Sequence, residues 1–155
     1  MRRVRLLAAL FALVGTCCVL PATATAATTY TLTGIEVNPN PATFVGSLVG
    51  QTGVWKAVVQ HEPLSYTGTT TITGGSFTIA TFAPAGQATG TIDHGSITAG
   101  PVTSSNGFTC RQTFTLGGTV NGSTGSFAGV LTHFGFLSGG RCNALAATFA
   151  GQATL

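Results

Sequence analysis

The sequence predicts an all-β domain, a single antiparallel barrel of about eight strands, with a β-sandwich as the alternative architecture. Three observations carry this. Thr, Val and Ile recur in short runs broken by glycine, the pattern of half-buried strands. Outside the N-terminal leader, no segment sustains a helical apolar period with caps. The runs are also regularly spaced, as in barrels and sandwiches. Charged residues make up only 6% of the chain, too few to protect open strand edges from pairing with other molecules, so closure is preferred.

At the N-terminus, Arg2, Arg3 and Arg5 precede an apolar run from Leu6 to Leu20, followed by Pro21 and small residues. This is the order of a secretory signal peptide, and Ala24-Thr25-Ala26 supplies small residues at the −3 and −1 positions. Residues 1–26 are therefore expected to be removed, with cleavage after Ala27 a near alternative, leaving residues 27–155 as one barrel domain. The apolar run is shorter than the ~20 residues of a membrane helix, so no integral membrane span is expected after processing. Twin-arginine export and lipidation at Cys17 are poorer matches, because Arg5 and Thr16 stand at unsuitable positions. The expected location is extracellular.

Processing changes the charge balance. The whole chain carries +3, but three of its basic residues lie in the leader. The remaining Lys56, Arg111 and Arg141 balance Glu36, Glu62 and Asp93. With no basic patch to neutralise phosphates, neither nucleic acid nor an anionic membrane is an expected partner. Cys17 and Cys18 also leave with the leader, so Cys110 and Cys142 are expected to form a disulfide. Closing that loop stabilises by roughly 3–4 kcal/mol on the chain-entropy account.

The predicted strands run near Thr28–Val37, Val54–His61, Ser65–Thr73, Ser76–Phe82, Ala88–Thr98, Phe108–Leu116, Ser126–Phe134 and Asn143–Thr154. Turns are expected at Asn38-Pro39-Asn40-Pro41, Gly74-Gly75, Pro84-Ala85-Gly86, Ser105-Asn106-Gly107 and Asn121-Gly122-Ser123. The clearest alternation puts Phe108, Cys110, Phe114 and Leu116 on one face and Thr109, Arg111, Thr113 and Thr115 on the other. In Val120–Ser126, Asn121 and Gly122 suit the positive φ of a tight reversal. No helix or lysine follows, so this glycine run reads as a turn and not as a phosphate loop.

The succession "FTLGGTV", "NGSTG" and "SFAGVLTHF" resembles the glycine-rich hairpins of the allene oxide cyclase-like β-barrel family, which includes small bacterial secreted members. The resemblance implies an eight-stranded antiparallel barrel with an apolar interior. Some members of that family are cyclases that fold a hydrophobic substrate inside the barrel, and others have no assigned activity. No family catalytic motif is matched here position by position, so no catalytic residue follows from the resemblance.

Ionisable groups are few. His61-Glu62 and Asp93-His94 are each adjacent, which on a strand sends the two side chains to opposite faces. An acid–base pair would need a bulge or a partner from another strand. His61, His94 and His133 have no metal-ligand spacing, so no metal and no cofactor is expected. There is no G-x-S-x-G elbow. The apolar inventory offers another route: Trp55, Phe108, Phe114, Phe127, His133 and Phe134 are the candidates to line a site for a small apolar ligand. The competing reading is that the aromatic residues simply fill the barrel.

The scarcity of acid–base groups favours a secreted, noncatalytic barrel that binds a small apolar ligand or acts at the cell surface. The alternatives are a cyclase- or isomerase-like barrel, using His61, His94 or His133 with Glu36, Glu62 or Asp93, and a module that engages or inhibits other proteins through its loops. Intact-mass analysis of the exported protein should give a chain beginning at residue 27 or 28 and lighter by two hydrogens. Free thiols on Cys110 and Cys142 would contradict the expected disulfide.

Overall fold

The computed structural model describes residues 26–155. The expected leader, including Cys17 and Cys18, lies outside the described residues except for Ala26. Eight strands follow in chain order: β1 (Thr29–Pro39), β2 (Ala42–Leu48), β3 (Gly53–His61), β4 (Thr69–Phe82), β5 (Ala85–Thr103), β6 (Thr109–Val120), β7 (Gly125–Ser138) and β8 (Arg141–Thr154). Each pairs antiparallel with the next, and β8 returns to pair with β1 from Thr29↔Thr154 to Ile35↔Thr148. The closed barrel removes every sheet edge and sets the sandwich aside.

The expected count of eight strands is met by two differences that offset each other. Ala42–Leu48, which carried no prediction, is β2. Its inward positions are Ala42, Phe44, Gly46 and Leu48, and the glycine interrupts the apolar alternation that would have marked it. Conversely, Gly74-Gly75 is no turn. Both glycines lie inside β4, with φ of 156° and 150°, at a register shift against β3. The inward set changes there from Thr70 and Ile72 to Phe77 and Ile79. One extra residue in the strand, a bulge, produces that change of face.

The lumen is packed by rings lying over cross-strand glycine pairs. Gly34 and Gly46 are register partners, and Trp55 on β3 is the partner of Gly46. The indole lies across both glycines and donates from Nε1 to the Thr33 carbonyl at 2.9 Å. Gly129 and Gly151 pair beneath Phe149 in the same way, and Phe127 rests on Gly118, whose register partner is Gly95. Phe149 packs in turn against Trp55 at 5.4 Å and Phe44 at 5.8 Å between centroids. Removing two facing Cβ atoms makes the floor on which each ring rests.

One end of the barrel, here the lower end, holds residues 28 and 155, which exchange backbone hydrogen bonds, and the β6–β7 turn. In that turn Asn121, Gly122 and Ser123 have φ of 54°, 68° and 67°, as the expected reversal requires. The upper end holds the β1–β2, β3–β4, β5–β6 and β7–β8 connections. Here Cys110 on β6 and Cys142 on β8 form the expected disulfide, with Cα atoms 5.5 Å apart although β7 runs between their strands. Adjacent strands are already about 4.8 Å apart. The sheet must therefore fold sharply at β7, and it does so at Gly135, beside a register shift, where any side chain would overlap the Asn143 backbone.

The glycine–ring packing makes a direct prediction. A Cβ at position 46 would overlap the Thr33 carbonyl and come within 2.7 Å of the indole nitrogen. Gly46→Ala should destabilise the barrel by about 1–3 kcal/mol in chemical denaturation. An unchanged midpoint would contradict the packing described.

Candidate functional site

Two interior spaces differ in size and chemistry. The lower one is an apolar cavity of about 60 Å³ bounded by Trp55, Phe77, Ile79, Ile92, Val120 and Phe127. It is far below the ~300–1,000 Å³ of small-molecule sites. The upper one is a cleft of about 830 Å³ that opens between the upper connections. Its floor is Phe44, Val59, Ile97, Leu116, Leu131 and Ala147, contributed by β2, β3, β5, β6, β7 and β8.

Asn38, Asn40, His61, Glu62, Tyr66 and Asn143 also line the cleft, and two ionisable side chains meet at its inner end. β1 carries Glu36 inward, and β7 carries His133 inward from the other flank of β8, which pairs with both strands. His133 Nε2 lies 3.5 Å from Glu36 Oε2, with side chains 7% and 14% exposed respectively. Neither imidazole nitrogen makes a hydrogen bond within the protein. The ring instead packs against Phe114, with centroids 4.8 Å apart. Burying such a group without partners ordinarily costs about 1–3 kcal/mol. At the cleft's rim stand His61, Glu62 and Tyr66.

The β3–β4 connection forms one wall, and Gln112 holds it in place. Opposite His133 in the β6–β7 register, Gln112 is fully buried and donates through Nε2 to the carbonyls of Tyr66 at 2.8 Å and Gly100 at 3.0 Å. The Tyr66 ring meets Phe114 edge-on at 6.1 Å, and the Arg141 guanidinium sits 6.0 Å from its centroid. These contacts span the residues next to the disulfide: Gln112 is two from Cys110, and Arg141 adjoins Cys142. The bridge thus steadies the wall of the cleft as well as the barrel end.

The structure distributes the candidate ligand-lining residues across three places. His133 lines the upper cleft, and Phe114 lies buried behind it. Trp55 and Phe127 line the small lower cavity. Phe108 and Phe134 are outside the lumen, 76% and 41% exposed. Phe108 precedes β6, because Asn106 Oδ1 accepts from the N–H groups of Phe108 and Thr109 and ends the turn only there. It therefore does not share the inward face of Cys110, Phe114 and Leu116. Phe134 follows His133 directly, so with His133 inward it must face outward, where Arg111 lies 5.8 Å from its ring. With Phe136 and Leu145 it borders an outer groove of about 620 Å³.

Of the adjacent acid–histidine pairs, Asp93-His94 sits at a β5 bulge outside the cleft lining, and Asp93 points to the lower turn. Asp93 accepts from Ser123 N–H at 2.9 Å and Thr91 Oγ1 at 3.0 Å. The Ser123 N–H, opposed by desolvation and aided by Gly122 N–H, Thr91 and His94, holds the carboxyl below the ordinary aspartate value. Its role is to tie the turn. His61 and Glu62 both reach the cleft because β3 ends at His61, which releases Glu62 from strand alternation. No group of three or more His, Cys, Asp or Glu side chains among the described residues is placed to hold a metal ion.

Fold and site together define a closed eight-stranded antiparallel barrel, packed at one end and open at the other over a buried histidine–carboxylate pair. No protein-family model, curated protein or solved structure matches the chain.

If His133 is kept for its contacts with a ligand, the barrel is better off without it. His133→Leu should leave the denaturation midpoint unchanged or raise it. A loss of more than about 1 kcal/mol would mark the imidazole as a structural element instead.

Proposed function

We propose that this is a secreted, noncatalytic β-barrel that binds a small, largely apolar ligand in the upper cleft. The observation that carries this reading is the cleft itself, about 830 Å³ in volume, with an apolar floor drawn from six strands, the His133–Glu36 pair at its inner end and further polar side chains around it. That combination is the general form of a small-molecule site. Secretion is supported by the N-terminal leader pattern and by the Cys110–Cys142 disulfide, which suits an oxidising compartment. The closed barrel with an apolar interior also agrees with what the resemblance to allene oxide cyclase-like barrels implies.

The His133–Glu36 contact favours one second reading, a cyclase- or isomerase-like activity on the bound molecule. An imidazole beside a carboxylate at the inner end of the cleft is suited to moving a proton at the ligand's polar end. Binding is common to both readings and is tested first.

Titration of residues 27–155 with the neutral fluorescent probe Nile red should give saturable binding. Ala147→Phe, which fills the cleft floor, should weaken it at least tenfold, while Ala57→Val, at the lower cavity, should leave it unchanged, both variants retaining the wild-type circular dichroism. Absent binding, or binding indifferent to Ala147→Phe, would overturn the assignment of the cleft.

A further inference from the structure

We infer that the ligand enters this cleft with a neutral hydrogen-bonding group, of the hydroxyl type, pointing inward, and that the site selects against carboxylates. The inference rests on the binding reading above and adds the chemistry of the ligand's polar end.

The argument begins with what the inner end of the cleft offers. His133 is buried, lines the cleft and has two ring nitrogens without a hydrogen-bond partner. A neutral imidazole presents one donor and one acceptor. Glu36, ionised, presents acceptors only, and its nearer oxygen is 3.5 Å from His133 Nε2. A group that bridges them must donate to Glu36, and towards His133 it can accept from the ring N–H or donate to the bare ring nitrogen. A hydroxyl does this with one oxygen: it donates to Glu36 and accepts from the imidazole N–H.

Other polar ends fit less well. An inward carboxylate would face Glu36 with like charge in a site largely screened from water, and it has no proton to donate. Reversed, with its carboxylate at the rim, an acid would find Arg141 beside Tyr66, but Glu62 also lines that rim. Its hydrocarbon would then lie against the buried His133–Glu36 pair and leave it unpartnered. A pure hydrocarbon has the same defect. The floor of Phe44, Val59, Leu116 and Leu131 supplies apolar contact to any of these molecules alike, so discrimination falls to the polar pair.

The test is displacement of Nile red at pH 7.5 by 1-octanol, octanoate and octane, which share a chain and differ at one end. Octanol should displace the probe at a concentration at least tenfold lower than either of the others. In Glu36→Gln, where the fixed charge is gone, the margin over octanoate should shrink to threefold or less. Octanoate or octane equal to octanol in the wild-type protein would overturn this inference while leaving the cleft a binding site. Failure of Nile red itself to bind would overturn the binding reading on which it rests. The wild-type comparison stands alone even if Glu36→Gln does not fold.

Discussion

In the lower part of this narrow eight-stranded lumen, large rings are accommodated by neighbouring positions that give up their side chains. In this barrel three cross-strand glycine pairs do this: Trp55 covers Gly34 and Gly46, Phe149 covers Gly129 and Gly151, and Phe127 rests on Gly118 of the Gly95–Gly118 pair. The pairs permit close ring-to-backbone packing where a Cβ would collide. They also account for the glycine-rich look of the strands, which is a packing device more than a sign of flexibility. The Trp55 N–H bond to Thr33 fixes the largest ring and joins β3 to β1 across β2.

From this packing follows the division of the interior. Rings over glycines close the lower part down to a space of about 60 Å³. Towards the upper end the inward positions change to Ala42, Leu131 and Ala147, smaller or more widely set, and the cleft opens. The disulfide governs the same end from the other side. By drawing β6 and β8 together across Gly135, it holds Gln112 and Arg141 where they support the wall that Tyr66 belongs to. The polar pair at the cleft's inner end is the part of the interior that packing does not explain. The imidazole packs on Phe114 and lies beside Glu36, but its nitrogens make no hydrogen bond within the protein and are left for what it meets in the cleft.

Much of this architecture was legible in the sequence. Short β-branched runs, turn residues and a lone pair of cysteines lead to the barrel and its disulfide. Strand alternation correctly sets Cys110, Phe114 and Leu116 inward. It fails where glycine stands for an inward side chain, so β2 passes unnoticed at Gly46 and β4 is split at the Gly74-Gly75 bulge. The site is less legible because it is assembled from strands remote in sequence. Nothing local to Glu36 announces His133, 97 positions away but brought to 3.5 Å by closure of the barrel. Alternation itself could have separated His133 from Phe134, since neighbours on a strand cannot both face inward. The wall-holding role of Gln112 had one available signal, its inward register between Cys110 and Phe114.

The central claim is that the lower barrel is closed by ring–glycine packing and that a ligand occupies only the upper cleft. Methyl chemical-shift mapping of residues 27–155 with a saturating neutral apolar ligand tests it most directly. The account predicts perturbations centred on Ala42, Leu131 and Ala147, with the Ile79, Ile92 and Val120 methyls unmoved. Shifts centred on those lower-cavity methyls would contradict it and place the ligand within the packed half of the barrel.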